Sequence, residues 1–134
     1  MTDKKLRVLV IEDEAIAKII SRKLFTNAGC QVDVAETGAQ AIEKLTNDFD
    51  LVMLDLGLPD YNGFDIADFI RKNLGDIASV PIVAISAHAD CSYIEPAKKV
   101  GINGLFSKPL TSELCEALLA GVSTGETDFW SLEQ

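Results

Sequence analysis

The chain has 134 residues, of which 48% are hydrophobic and 7% aromatic, and its formal net charge is -9 because 21 acidic residues stand against 12 basic ones. This length and apolar content fit one domain with an ordinary packed core. The negative charge argues against a nucleic-acid partner and against direct contact with an anionic membrane surface. No apolar run approaches the roughly 20 residues of a membrane-spanning helix, and the N-terminus lacks a signal-peptide core, so we expect a soluble, cytoplasmic protein.

Short apolar runs alternate with stretches of helical period along the chain, which is the pattern of βα units. The predicted strands are LRVLVIE (6–12), QVDVA (31–35), LVMLD (51–55), PIVAIS (81–86) and GLFSK (104–108). Strict alternation of strand and helix predicts a parallel sheet with helices on both faces. We therefore expect an α/β fold built on one five-stranded sheet.

The first predicted helix is EAIAKIISRKLFTNAG, residues 14–29. Its apolar residues recur at helical spacing, which places them on one face, and a glycine marks its end. The residues of this face are Ile16, Ile19, Ile20 and Leu24. Much of the helix must face the core, so we expect its exposed members to include Ala15, Lys18 and Arg22.

Capping residues and glycines also predict where three later helices begin or end. Thr37 has the spacing of a capping box with Gln40 and begins the second helix. Asn62 opens the third helix, which we expect to close near Gly75, and Thr111 begins the last. We expect that last helix to end at Gly121.

Polar side chains stand where four of the predicted strands end. They are Glu12 and Asp13 after the first strand, Asp55 after the third, Ser86 after the fourth and Lys108 after the fifth. Taken alone, Asp55 fits a simple turn, since aspartate often bonds nearby backbone N–H groups. Ligands of parallel sheets bind beyond the carboxyl ends of the strands, however, so we expect all five side chains to share one rim.

The chemistry of this rim follows from the residue types. Carboxylates held close together repel one another unless a cation lies among them, so Glu12, Asp13 and Asp55 predict a Mg²⁺ site. An aspartate can also attack phosphorus and form an acyl phosphate, provided that cations neutralise the transferring oxygens. Lys108 can act as such a cation, and the Ser86 hydroxyl can donate to a phosphoryl oxygen. We therefore predict that Asp55 is phosphorylated.

The motifs VLVIEDE, VMLDLGLPDYNG, VPIVAISAHA and GLFSKPL occur in this order. Over about residues 5–122 the chain thereby resembles the receiver domain of two-component response regulators and hybrid sensor kinases. The resemblance implies a flavodoxin-like (βα)5 fold, a doubly wound five-stranded parallel sheet of order 2-1-3-4-5. Residues 1–122 would form this domain, and residues 123–134 a C-terminal tail or linker.

The resemblance also implies a role for each rim residue. Asp55 would accept a phosphoryl group from a phosphohistidine donor, with Mg²⁺ held by Glu12, Asp13, Asp55 and the backbone carbonyl of Gly57. Ser86 would be the switch hydroxyl, and Lys108 would contact the phosphate. A cis bond before Pro109 would aim this lysine inward.

Several positions depart from the family pattern. Leu105 stands where the family usually has an aromatic switch residue, and Phe106 should face the opposite side of its strand. Pro96 falls inside the expected fourth helix, which we expect to be short, kinked or displaced. Gly57 and His88 lie where the family tunes phosphate lifetime, although a solvated loop histidine is the more ordinary interpretation of His88.

The partner implied by the resemblance is a sensor histidine kinase or a histidine phosphotransfer domain, and the motifs SKPL and VPIVAISAHA favour the receiver of a hybrid kinase. Such a domain is not a conventional enzyme, because it catalyses only its own phosphorylation and dephosphorylation. A haloacid dehalogenase-type phosphohydrolase would need a second acid where Gly57 stands, and a flavodoxin-like cofactor carrier would need a phosphate loop in place of EDEAI. A docking module that works without phosphorylation is the remaining alternative.

Overall fold

The computed structural model describes residues 5–45, 48–58, 60, 62–73, 79–87 and 90–130. The strands are Arg7–Ile11 (β1), Gln31–Ala35 (β2), Leu51–Asp55 (β3), Ile82–Ser86 (β4) and Gly104–Ser107 (β5). The helices are Ala15–Asn27 (α1), Gly38–Lys44 (α2), Gly63–Asn73 (α3), Ile94–Lys99 (α4) and Ser112–Ser123 (α5). Among these described helices, none combines the length and the apolar character needed to cross a bilayer.

All five strands join one sheet in the order β2-β1-β3-β4-β5, and every neighbouring pair is parallel. This arrangement confirms the predicted doubly wound, flavodoxin-like fold. The register brings the strand ends level, since Ile11 pairs with Leu54, Asp55 with Ile85 and Ser86 with Ser107. Side chains that follow these ends therefore meet at one edge of the sheet.

Two apolar layers cover the faces of the sheet, because successive residues of a strand point to opposite faces. One layer contains Leu9, Leu54 and Leu105 and is closed by buried residues of α3 and α4. The other contains Val10 and Met53, together with buried residues of α1 and α5. Leu105 belongs to the first layer and Phe106 packs on the second, as strand alternation predicted.

Local chemistry sets the helix ends. Gly29 adopts a φ of 95° after α1, a left-handed conformation that favours glycine. There the N–H of Cys30 donates to the Phe25 carbonyl at 3.0 Å. At the start of α2, the Thr37 hydroxyl accepts a hydrogen bond from the N–H of Gln40 at 3.1 Å. These predicted caps are confirmed.

The apolar face of α1 is more exposed to solvent than the sequence predicts. Ile16 and Ile19 are each 65% exposed, so the first half of this face points to solvent. The helix packs instead through Ser21 and Phe25, which are buried. The Lys18 side chain, expected to be exposed, is only 22% exposed and forms an ion pair with Glu36. The apolar residues of α1 do recur at helical spacing. The helix packs on β1 and β2 through another face, however, and this leaves Ile16 and Ile19 at the surface.

The fourth helix is short, as predicted: α4 spans six residues after a 3-10 turn at Cys91–Tyr93. Pro96 occupies the first turn of α4, where its missing N–H leaves no intrahelical bond unmade. The proline is therefore compatible with the start of the helix.

The predicted end of the last helix at Gly121 is wrong. The helix α5 continues to Ser123, and Gly125 beyond it has a φ of 81°. The later glycine takes the left-handed conformation, so Gly121 stays inside the helix. The expected close of α3 near Gly75 lies outside the described residues.

Candidate functional site at the carboxyl edge of the sheet

The structure brings the predicted rim residues together at the carboxyl ends of the strands. Asp55 is the last residue of β3, and Glu12 and Asp13 directly follow β1. Ser86 ends β4, and Lys108 comes one residue after β5. Because β1 and β4 flank β3 in the sheet, the segments that carry these side chains surround Asp55.

Three carboxylates form the centre of the site. Oxygens of Glu12, Asp13 and Asp55 all lie within 4.8 Å of one another. Glu12 and Asp55 are buried, with 2% and 6% of their surface exposed, while Asp13 is exposed. Hard oxygen donors, one of them open to water, are the set that Mg²⁺ prefers, since it keeps part of its hydration shell. The donors present therefore fit this ion.

Lys108 supplies a positive charge to the same cluster. Its Nζ lies 2.9 Å from Glu12 Oε1 and 3.5 Å from Asp55 Oδ2. The side chain is 18% exposed, so these ion pairs are only weakly screened by water. A lysine in this position holds two buried carboxylates together and can accept a third anionic group beside Asp55.

The ionisation of the cluster reflects its crowding. Burial, followed by the hydrogen bond with Asp55, raises the pKa of Glu12 to about 7. Burial alone would lower the pKa of Lys108, but its hydrogen bond to Glu12 and the charge of Asp55 outweigh burial and raise it. Lys108 is therefore held in its charged form. Its single positive charge does not neutralise all three carboxylates of the cluster.

The loop after β3 holds the Asp55 carboxylate from one side. The N–H of Gly57 donates to Asp55 Oδ1 at 3.0 Å. A Cβ built on Gly57 would meet only this same oxygen, at 3.8 Å, so the position next to the carboxylate is open. Gly63, at the start of α3, differs because its Cβ would lie 2.7 Å from the Leu56 Cα. Gly57 leaves space at the site, whereas Gly63 permits close packing of the loop.

Ser86 and the strand next to it complete the rim. Ser86 is 7% exposed, and its carbonyl accepts a hydrogen bond from the N–H of Lys108 at 3.0 Å. The peptide bond between Lys108 and Pro109 is cis, as the resemblance implied.

Leu105, at the proposed switch position, is fully buried in the apolar layer of α3 and α4. His88 lies outside the described residues, so its two interpretations stay open.

An apolar recess beside the rim was missed by sequence reasoning. It has a volume of about 180 Å³ and lies between α1 and the loop after β5. Its lining includes Ile16, Ile20, Pro109 and Leu110, with Glu12 and Lys108 at its polar end. The exposed isoleucines of α1 are a local signal for it, but the recess needs two segments that are far apart in sequence.

Comparison with known proteins agrees with the fold and the motifs. The family model for the response regulator receiver domain matches residues 8–119. Ethylene receptor 2 of Oryza sativa subsp. japonica is 34% identical over 109 residues, which are 79% of this chain and 14% of the receptor. The aerobic respiration control sensor protein ArcB of Escherichia coli K12 is 33% identical over 115 residues, which are 85% of this chain and 15% of that protein. The chain thus spans only a small part of the length of these relatives.

Solved structures show the same architecture. A CheY-like receiver domain protein from Methanospirillum hungatei JF-1 superposes with a TM-score of 0.80 at 20% identity, covering 90% of this chain and 96% of the other. The signal receiver domain of a putative Luxo repressor from Vibrio parahaemolyticus gives a TM-score of 0.79 at 25% identity, covering 91% and 92%. With the family match over most of its length and the carboxylates, serine and lysine at one rim, the chain belongs to the response regulator receiver domain family.

Proposed function

We propose that this domain accepts a phosphoryl group on Asp55, in a Mg²⁺-dependent reaction with a phosphohistidine donor, and passes on the signal by contact with other proteins. The observation that carries the proposal is the position of Asp55, buried at the end of β3 within 4.8 Å of two further carboxylates and 3.5 Å from the Lys108 ammonium. Burying an acid beside two other carboxylates costs free energy unless cations neutralise the cluster, so the site favours the binding of Mg²⁺. The role of a receiver in two-component signalling follows from the family.

The proposed reaction is a displacement at phosphorus. The Asp55 Oδ2, which faces Lys108, attacks the phosphoryl group. A P–O bond forms while the P–N bond to the donor imidazole breaks, and the imidazole nitrogen keeps the electron pair and takes up a proton. Bound Mg²⁺ would be held by Glu12, Asp13, Asp55 and the Gly57 carbonyl, and would neutralise phosphoryl oxygens.

The chain's own groups prepare this transfer. The Gly57 N–H holds Asp55 Oδ1, which leaves the other carboxylate oxygen directed towards the lysine. Lys108 stabilises negative charge on the transferring group, and the Ser86 hydroxyl donates to a phosphoryl oxygen after transfer. The domain therefore catalyses only its own phosphorylation and dephosphorylation.

Partner recognition is the second part of the proposal. We define the docking patch as the exposed residues Ile16 and Ile19 of α1, together with the recess that Ile16 borders. This apolar surface lies beside the rim, so a partner that covers it would present its histidine to Asp55 and exclude water. The partner is a sensor histidine kinase or a histidine phosphotransfer domain in the cytoplasm. Residues 1–122 act as the receiver, and residues 123–134 as a tail or linker.

Phosphorylation by acetyl phosphate tests the chemical proposal without knowledge of the partner. The parent chain, incubated with acetyl phosphate and Mg²⁺, is expected to gain the mass of one phosphoryl group. Asp55→Asn should gain none, while the matched control Asp65→Asn, an exposed acid in the first turn of α3, should behave like the parent. Absence of labelling in all three proteins would instead favour the docking module that works without phosphorylation.

A further inference from the structure

A groove rich in basic residues lies at the outer edge of β2. It has a volume of about 780 Å³ and is lined by residues of α1, β2 and α2. The helix α1 packs on one face of the sheet and α2 on the other, and β2 is the outermost strand between them. The groove therefore crosses the open edge of the sheet.

The charge of this groove is opposite to the net charge of the chain. Four of the 12 basic residues of the chain line it, namely Lys18, Arg22, Lys23 and Lys44. Among the described residues of its lining, Glu36 is the one acid, and its ion pair is with Lys18. The other three basic residues are exposed and have no ion-pair partner in the described parts of the chain. The groove thus keeps uncompensated positive charge on a chain whose net charge is -9.

The backbone of β2 is open along the same edge. The Ala35 carbonyl faces β1, where it accepts a hydrogen bond from the N–H of Glu12 at 2.9 Å. Since the direction of the backbone groups alternates along a strand, Val32 and Val34 direct their N–H and carbonyl groups away from β1. Within the described sheet no strand lies beyond β2, so these groups are available to an added segment.

We propose that this groove binds an acidic segment of a partner protein, in an extended conformation that adds to the sheet beside β2. The backbone groups of Val32 and Val34 pair with the segment, and its carboxylates meet the basic side chains that line the groove. Successive side chains of an added strand point to opposite faces. Acidic residues of the segment therefore reach Arg22 and Lys23 on the face of α1, and Lys44 on the face of α2.

The distribution of charge selects this occupant. A second copy of the chain would place the same basic residues against its own, so like charges oppose pairing of two β2 edges. A nucleic acid or an anionic membrane meets more of the surface than the groove, and the chain as a whole is negative. A short acidic segment contacts the groove alone. Ile19 lies both in the groove lining and in the docking patch, so a protein bound at the patch reaches the groove without a gap.

Binding of a defined peptide tests the inference without knowledge of the partner. The probe is a short fluorescein-labelled peptide in which Glu alternates with Thr, and its matched control has Gln in place of each Glu. Fluorescence anisotropy at low salt should show saturable binding of the Glu peptide, about tenfold or more tighter than that of the Gln peptide. At saturating Glu peptide, the Val34 amide should exchange its hydrogen about tenfold more slowly, whereas the Asp33 amide, which faces β1, should not change.

Charge reversal on the full chain tests the groove itself. Arg22→Glu and Lys23→Glu combined should weaken binding of the Glu peptide by about tenfold or more. Lys98→Glu with Lys99→Glu is the matched control and should bind like the parent, because these adjacent exposed residues of α4 change the net charge equally but line no part of the groove. Lys44→Glu, on the opposite wall, should weaken binding by about threefold.

Several results would overturn the inference. Absence of saturable binding, equal binding of the Glu and Gln peptides, or equal losses in the two double variants would show that the groove does not select acidic segments. Binding without protection of the Val34 amide would show that the segment does not join the sheet. A single-stranded oligonucleotide that binds as tightly as the Glu peptide, and loses affinity in the Arg22→Glu, Lys23→Glu variant, would show a general site for polyanions.

The inference does not rest on the phosphorylation of Asp55. The Arg22→Glu, Lys23→Glu variant should be labelled by acetyl phosphate at the rate of the parent, because neither residue belongs to the carboxylate cluster. A failure of peptide binding is thereby distinguished from a failure of the proposed function.

Discussion

The Lys108 ammonium bridges two carboxylates that are far apart in sequence, at 2.9 Å from Glu12 and 3.5 Å from Asp55. Both carboxylates are buried, so the lysine offsets a repulsion that the fold itself creates. This relationship joins the stability of the domain to its proposed chemistry, because the same buried carboxylates would hold the ion, and one of them would accept the phosphoryl group.

Removing this lysine is therefore expected to affect both properties. Lys108→Ala should lower the free energy of unfolding by about 1–3 kcal/mol without Mg²⁺, since it leaves two buried carboxylates without their cation. It should also slow labelling by acetyl phosphate. Urea unfolding measures the first effect, and Lys72→Ala is the control because its ion pair with Asp68 is exposed and should contribute less than about 1 kcal/mol. Equal stability losses in the two variants would contradict the bridging role.

Binding of Mg²⁺ should stabilise the folded domain. An ion that binds only the folded state raises the melting temperature with concentration. Asp13, the exposed member of the carboxylate cluster, is the first candidate for direct coordination. We expect a clear rise for the parent and little for Asp13→Ala, measured by thermal melts across a Mg²⁺ titration. Labelling should fail in the chelated parent and in Asp13→Ala; if either is labelled at the parent's rate, the metal cluster is wrong.

Gly57, in the loop after β3, and Gly63, at the start of α3, offer a matched pair of substitutions. Gly57→Ala should be tolerated, since its Cβ would meet only Asp55 Oδ1 at 3.8 Å, and should change chiefly the lifetime of the acyl phosphate. Gly63→Ala should lower the free energy of unfolding by about 1–3 kcal/mol, because the new methyl would press on the Leu56 backbone. Chemical denaturation and decay of the label distinguish the two. A larger stability loss for Gly57→Ala would show that the loop packs differently.

The docking patch on α1 makes a prediction about phosphotransfer. Ile16→Ser and Ile19→Ser, at positions that are each 65% exposed, should leave the fold intact but slow transfer from the cognate histidine protein by about fivefold or more. Labelling by acetyl phosphate should not change, because the small donor needs no docking surface. Glu95→Ser and Lys99→Ser on exposed positions of α4 are the controls. If only the α4 variants slow the transfer, recognition uses the face of α4 and not that of α1.

Much of this domain could be predicted from its sequence, for identifiable physical reasons. Alternation of apolar runs fixed the five strands, capping residues such as Thr37 marked helix starts, and polar residues at strand ends located the rim. The outward direction of Ile16 could not be predicted, because helical spacing groups residues on a face without showing which face meets the sheet. The packing of Phe129 against Gly104 is a contact between segments distant in sequence and leaves no local pattern.

The most direct test of the central claim identifies the residue that carries the phosphoryl group. Borohydride reduction converts an aspartyl phosphate to homoserine, which marks the acceptor permanently for peptide sequencing by mass spectrometry. After labelling of the parent chain with acetyl phosphate and Mg²⁺, we expect homoserine at position 55 alone, in place of Asp55. Homoserine at Asp13 or at another acid, with Asp55 unmodified, would contradict it.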